Sequence, residues 1–250
     1  MRSKLKLILR KLLAVLFWAI VWETVARLAN IRYIIPTLGD IASAIIALAS
    51  KTDFWISILA SLGRIVLGFL IGVVLAALLA MFAKLSSLAY ELISPVMTVT
   101  RSTPVASFIM VLWLLMGGES IPILIAVLMV LPVVWQSIFD GLNSPIRELS
   151  ELADVFQFSF SKRLRYVTIP STLKYALPAI ITASGLAWKA GIAAEIITYT
   201  ANSIGREIAN AKNYLEGAEM FAWTIVVVAM SLLLEMGIKA ISRRLDRLWE

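Results

Sequence analysis

Long uncharged runs alternate along this chain with short polar segments. Residues 65–83 carry no charge over nineteen positions, and residues 102–118 none over seventeen. Residues 120–139 form a third such run, with Pro122 and Pro132 inside it. Apolar runs also cover 12–28, 175–197 and 220–241. A helix needs about 20 apolar residues to cross a bilayer, whereas a barrel strand needs about half as many. The runs therefore predict six spanning helices rather than strands. The span at 102–118 is preceded by apolar residues 93–99, and Pro104 is placed to bend it near its start. Residues 41–49 are apolar but too short to span, and they predict a surface helix.

The longest polar stretch, residues 140–174, has an internal order. Ser144 and Pro145 read as an N-cap followed by a first helical residue. Leu149, Leu152, Ala153 and Phe156 then recur at helical spacing, with Arg147, Glu148, Glu151 and Asp154 elsewhere on the same helix. Gln157-Phe158-Ser159 interrupts the pattern. Ser159 or Ser161 can cap a second short helix, which Pro170 is expected to stop. A short amphipathic helix of this kind suits either a membrane surface or a groove in a soluble partner.

Composition agrees with a bilayer as solvent. The 250 residues are 60% hydrophobic and 16% charged, with a mean hydropathy of +0.90. Soluble chains average roughly 45–50% apolar and about 25% charged, so an ordinary soluble enzyme is excluded. The chain has no Cys and no His. That removes disulfides, zinc sites built on those residues, and catalysis by a Ser-His, Cys-His or His-base arrangement.

The net charge of +7 is explained by its distribution. With both termini in the cytoplasm, sixteen Lys and Arg residues fall inside and six outside, the bias expected of a multi-pass protein. The inside set comprises Arg2, Lys4, Lys6, Arg10, Lys11, Lys84, Arg101, five in the 140–174 loop and four at the C-terminus. No nucleic-acid partner is needed to explain the charge.

A resemblance adds a specific reading of the loop. Glu151-Leu152-Ala153, three residues, Gln157, nine residues, then Val167-Thr168-Ile169-Pro170 resembles the EAA loop of ABC-importer permeases. That pattern is Glu-Ala-Ala, three residues, Gly, nine residues, Ile, any residue, Leu, Pro. Leu152 replaces an alanine and Gln157 replaces the glycine that would bend the chain between the two short helices. Further matches point to the nitrate, taurine, sulfonate and thiamine-precursor branch. They are Ile35-Pro36-Thr37, the Ser61-Leu62-Gly63-Arg64 to Gly68-Phe69 stretch, Arg101-Ser102-Thr103-Pro104-Val105-Ala106, Leu112-Trp113 with Gly117, and Leu186 to Glu195. The resemblance runs from about residue 35 to the C-terminus.

It implies an all-α integral membrane fold of the type I importer permease kind, a single transmembrane permease domain over 1–250 with its coupling loop at about 140–174. The implied location is a bacterial-type inner membrane. The implied function is passage of a small solute, such as nitrate, a sulfonate or a vitamin precursor, delivered by an extracytoplasmic solute-binding protein. Implied partners are cytoplasmic ABC ATPase subunits, a second permease subunit (a homodimer) and membrane lipid. The chain has no Gly-x-x-x-x-Gly-Lys-Ser/Thr loop. ATP and Mg would thus be bound by the partner ATPase, with no cofactor, metal or catalytic residue here. Glu151, Leu152, Ala153, Phe156, Gln157 and Pro170 would form the coupling loop.

Arg101, Thr103, Pro104, Trp113, Trp188, Lys189 and Glu195 are candidates for the translocation pathway. Charges within spans are functional by default, although Lys189 and Glu195 are six residues apart and do not share a helix face. Pairing with a neighbouring helix, a simple kink at Pro104 and core packing of the two Trp rings are the structural alternatives. Arg163 and Arg165 suit lipid headgroups. Trp18, Trp22, Trp55, Trp223 and Trp249 suit the membrane interface. Gly68 and Gly72 form a Gly-x-x-x-Gly pair that permits close helix contact. An ATP-independent channel or scaffold is the rival function, and a metal enzyme built on Glu148, Glu151 and Asp154 a weaker one.

Overall fold

The computed structural model describes residues 2–29, 31 and 33–246. Regular structure among them is helical throughout: α1 (Arg2–Ala29), α2 (Leu38–Ala49), α3 (Thr52–Leu85), α4 (Ser87–Ser102), α5 (Val105–Met116), α6 (Ile121–Asn143), α7 (Arg147–Val155), α8 (Phe160–Arg163), α9 (Ile169–Thr198), α10 (Ile204–Asn213) and α11 (Gly217–Asp246). A π-helical stretch, Leu164–Thr168, joins α8 to α9. The side chains of Arg2, Lys4, Lys11, Arg32, Arg247 and Trp249, used in the charge and aromatic arguments above, lie outside the described residues.

Five of these segments are long and apolar enough to cross a membrane, and the α4–α5 pair makes a sixth if it counts as one span. That pair corrects the span expected at 102–118. The two helices meet at 104°, and the break falls at Thr103 and Pro104. Thr103 has φ −80°, ψ 133° and Pro104 has φ −58°, ψ 129°, both extended. Proline excludes the residue before it from helical geometry and offers no N–H to continue the ladder. Arg101 and Ser102 accordingly end α4 instead of opening a straight span. Arg101 lies in its last turn, where a cation suits the helix dipole.

The centre of the molecule is α3, α6 and α9. One face of α3 reads Ile65, Gly68, Gly72, Ala76, Ala80 and Ala83, all buried. This spacing of three or four keeps the small residues on one stripe. A Cβ on Gly68 would lie 2.4 Å from the Ile123 carbonyl oxygen, and one on Gly72 2.8 Å from Val130 Cβ. The backbones of α3 and α6 therefore approach as closely as small side chains permit. On α9, a Cβ at Gly191 would meet Ile65 at 2.6 Å, and Gly141 of α6 faces Thr172 in the same way. In lipid such contacts replace the missing hydrophobic drive between helices.

The remaining helices attach to this core. The surface helix expected at 41–49 is α2, started three residues earlier by a capping box between Thr37 and Asp40. Trp22 of α1 donates to the Pro36 carbonyl at 3.1 Å and meets Phe221 edge-on. Trp223 departs from the interfacial role expected of it. It is 2% exposed and packs against Phe54, because α11 turns that face inward toward α2 and α3. Trp18 and Trp55 are exposed.

Gly68→Val is expected to lower the thermal midpoint of the purified protein, by the equivalent of about 1–3 kcal/mol of overpacking. Gly63→Ala, which meets nothing within 4 Å, should leave the midpoint in place. Equal midpoints for both variants would contradict the close α3–α6 approach.

Candidate functional site

Two polar assemblies sit at opposite ends of the α3–α6–α9 core. At the Asn143 end is the 140–174 loop. Here α7 starts at Arg147, not at Pro145 as the sequence suggested. Ser144 closes α6 instead, donating its N–H to the Asp140 carbonyl. Ile146 takes the N-cap position, and its N–H donates to Ser171 Oγ at 2.9 Å. This bond fastens the start of α7 to the start of α9.

The end of α7 is closed by a Schellman turn. Phe158 N–H donates to the Ala153 carbonyl and Gln157 N–H to the Asp154 carbonyl. That turn requires a left-handed residue, and Gln157 supplies it at φ 47°. A side chain there costs roughly 1 kcal/mol relative to glycine. The substitution that departs from the EAA pattern is therefore absorbed as local strain, with the bend kept.

Pro170 does not stop the second helix. The chain runs helically from Phe160 to Thr198, with Pro170 in the first turn of α9. The preceding five residues are π-helical, and Ile169 N–H reaches back to the Leu164 carbonyl. The wider turn gives the proline ring room where an α-turn would clash. Ser159 holds the N-cap position of α8 without a side-chain bond, and Ser161 lies inside that helix.

The apolar stripe of α7 divides by role. Ala153 is 1% exposed and seats the helix on the π-helical segment, where Val167 is also buried. Leu152 and Phe156 remain exposed. With Leu149, Phe158, Tyr166, Val167 and Pro170 they line an apolar groove of about 550 Å³. Glu151 pairs with Arg147 at 2.7 Å, fully on the surface, where such pairs contribute little. Arg163 is committed to Asp154 at 2.9 Å and to Ser150, tying α8 to α7. Arg165 lies over the Tyr166 ring. No group of three or more acidic side chains among the described residues is arranged for a metal ion.

At the Thr198 end, Glu195 is fully buried. Its Oε2 accepts from Ser61 Oγ at 2.8 Å and from Gly205 N–H at 3.2 Å. Ser61 Oγ in turn accepts from Ile204 N–H at 2.9 Å. Arg64 Nη1 stands 3.6 Å from Glu195 Oε1, which has no hydrogen bond. The guanidinium donates instead to the carbonyls of Ala201 and Asn202, at 2.8 and 3.2 Å. Glu119 accepts from Ala201 N–H at 3.2 Å. Gly205 is required here, since a Cβ would lie 2.4 Å from Glu195 Cβ. This network holds α10 and the 199–203 crossing onto α3 and α9.

The structure does not gather the pathway candidates into one site. Glu195 belongs to the buried network, whereas Lys189, on the same helix, is exposed. Trp188 is wholly buried and donates to the Val227 carbonyl at 3.0 Å, joining α9 to α11. Trp113 is half exposed at the end of α5. Thr103 bonds back to the Val99 carbonyl beside Pro104 at the corner. Sequence reasoning counted Arg64 among the six cations on the outer side, named Ser61 only within the family-like stretch that runs to Phe69, and gave Gly205 no role. Ser61 and Arg64 are three residues apart on the helix face that continues to Gly68, a spacing that could have marked them.

Residues 68–249 match the family described as binding-protein-dependent transport system inner membrane component. The chain belongs to this family. The taurine transport system permease protein TauC of Escherichia coli is 27% identical over 233 residues, which cover 90% of this chain and 84% of TauC. The putative aliphatic sulfonates transport permease protein SsuC of Bacillus subtilis is 23% identical, over 90% of this chain and 82% of its own. The nitrate import permease protein NrtB of Leptolyngbya laminosa is 28% identical, over 78% and 71%. A solved amino acid ABC transporter with histidines shares the fold, with a TM-score of 0.59 and 18% identity over 75% of this chain and 89% of that one. The chain is thus a multi-pass permease subunit of an ABC importer and not an enzyme, and ATP hydrolysis in such systems is carried by a separate subunit.

Two outcomes test these geometries. Arg64→Ala should destabilise the protein by roughly 3 kcal/mol, because it leaves a buried carboxylate without its cation. Adding Glu195→Gln should restore part of the loss, and additive losses in thermal midpoint would contradict the pairing. Gln157→Gly should slow amide exchange at residues 156–158 about threefold, and faster exchange would rule out the strain.

Proposed function

We propose that this chain moves a small anionic solute across the inner membrane and that the α7 groove receives the ATPase. The exposed pair Leu152 and Phe156 above the rigidly seated Ala153 carries this reading. An apolar helix face beside an unfilled apolar groove suits insertion into a cleft of a soluble partner. The seat matters as much as the knob. Ala153, the Ile146–Ser171 bond and the Arg163–Asp154 pair tie α7 to α9, so a displacement of α7 is passed to a helix that continues to Glu195.

In this reading Glu151, Gln157 and Pro170 shape the loop, and Leu152 and Phe156 make the contact. ATP and Mg are held by the partner, and a binding protein delivers solute at the opposite face. Both termini lie in the cytoplasm, which puts α7 with the ATPase and α2 and α10 outside. Two copies of the chain, in lipid, enclose the pathway. The cations Arg101 and Lys189, exposed in one copy and located within or beside apolar segments, suit an anion as cargo. The relatives named for taurine, aliphatic sulfonates and nitrate are consistent with that class.

Leu152→Ala with Phe156→Ala is expected to abolish co-purification of the ATPase in mild detergent and to reduce uptake at least tenfold, with the chain still inserted. A doubly truncated chain that still recovers its ATPase in full would move the docking surface elsewhere.

A further inference from the structure

The π-helical stretch Leu164–Thr168 stands between the two points at which α7 is tied to the helix that follows it. Beyond the turn, Ser171 is fully buried and accepts from Ile146 N–H at the start of α7. Before the turn, Arg163 donates to Ser150 and Asp154, in the middle and near the end of α7. α7 therefore runs antiparallel to the 163–171 segment and is tied along its length. Between the ties Ala153 and Val167 are buried, and Phe158 meets Tyr166 edge-on.

An α-helix advances about 100° per residue. Arg163 and Ser171 are eight residues apart, so an unbroken α-helix would set them about 80° apart around its axis. That would turn Arg163 away from the face that carries Ser171 and Val167. The π-turn contains one residue more than an α-turn, and Ile169 N–H reaches back five residues to the Leu164 carbonyl. With that residue absorbed, Arg163 stands as if seven positions before Ser171, about 20° away. The start of α9 is fixed to the core, since a Cβ on Gly141 would lie 2.8 Å from Thr172 Cα. No residue of α8 is buried. The π-turn thus decides where Arg163 lies, and with it how α7 is held.

Pro170 keeps the turn wide. Closure to an α-turn would press its ring on the Tyr166 carbonyl, and proline has no N–H to give that carbonyl in return. With an N–H at position 170, closure would gain a backbone hydrogen bond. It would give up only the exposed Arg163 contacts, which contribute less. We propose that Pro170, through the π-turn, is a positioning residue for coupling. It sets the rotational register of α8 on α9, so that α7 is held at both ends and presents Leu152 and Phe156 in one orientation. A push on α7 then moves α9 instead of rolling α7 on its seat. The link to transport rests on the permease reading above, whereas the register itself does not.

Two variants of the full chain separate the register from the proline. Pro170→Ala alone lets the turn close and carries Arg163 off its face. Pro170→Ala with the exposed Arg165 deleted also closes the turn but removes the extra residue, which returns Arg163 to its face. Both lack the proline surface in the groove. Amide exchange over residues 147–155 is measured on the chain alone in detergent. Pro170→Ala is expected to speed it about fivefold, and the added deletion to return it to the native rate. In vesicles with the ATPase and binding protein, solute accumulated per ATP hydrolysed is measured with radiolabelled taurine, methanesulfonate and nitrate as probes. That ratio should fall at least about threefold in Pro170→Ala and recover with the deletion. Native exchange in Pro170→Ala, or equal changes in the two variants, would overturn the register. Exchange that follows the register while the accumulation ratio stays native in Pro170→Ala would overturn the coupling role. Exchange that follows the register with no ATP-driven accumulation by the native chain would remove the permease reading and leave the register.

Discussion

The backbone-close contact of α3, α6 and α9 sets the rest of this structure. Water does not drive helices together inside a bilayer, so contact depends on packing at short range. Gly68, Gly72, Ala76 and Ala80 on α3 supply a surface with almost no side chain, and α6 lies directly on it. Gly191 lets α9 approach Ile65 in the same way. Three long helices held this tightly form one rigid unit. Its two ends are where the chain can carry polar chemistry, because only there does the backbone leave helical geometry.

Each end uses polar groups differently. At the Thr198 end, the Ser61 hydroxyl and the Gly205 N–H both donate to Glu195 Oε2 in a buried site. An isolated carboxylate would be costly there, and Arg64, the Ser61 hydroxyl and the Gly205 N–H make it tolerable. Removing one member leaves the others unsatisfied, so the network fixes the register of α10 on the core. At the Asn143 end the polar groups are exposed and their pairs weak, while the apolar residues do the positioning. Ala153 and Val167 seat α7, and Leu152 and Phe156 remain exposed. The continuous helix from Phe160 to Thr198 joins the two ends and makes mechanical coupling between them physically reasonable.

Much of this was legible in the sequence. Uncharged runs of nineteen or twenty residues located α3 and α6, and the Gly68–Gly72 spacing anticipated their contact. The 3–4 spacing of Leu149, Leu152, Ala153 and Phe156 located α7. The failures share a cause, since each depended on a tertiary partner. Ser144 reads as a cap, but α6 runs on to Asn143 and uses Ser144 to close itself. Pro170 reads as a stop, but a π-turn makes room for it inside a longer helix. Trp223 has the composition of an interfacial anchor, and only the packing of α11 shows it buried against Phe54. Pro104 was recognised as a bend; the 104° corner exceeds what a proline kink within one helix suggests, because Thr103 is extended as well. Glu195 was visible as a charge in a span, whereas its partners on α3 and α10 lie 134 and 10 residues away in the chain.

The central claim is that this rigid unit works as the membrane part of a solute pump energised by another subunit. The most direct test is accumulation in sealed vesicles that contain the chain, its ATPase and its binding protein, with radiolabelled taurine, methanesulfonate and nitrate offered in turn. The account predicts that one of these anions is concentrated above the external level only when ATP and the binding protein are both present. Flux that merely equilibrates the anion, at the same rate with or without ATP, would contradict it and assign the chain to a channel.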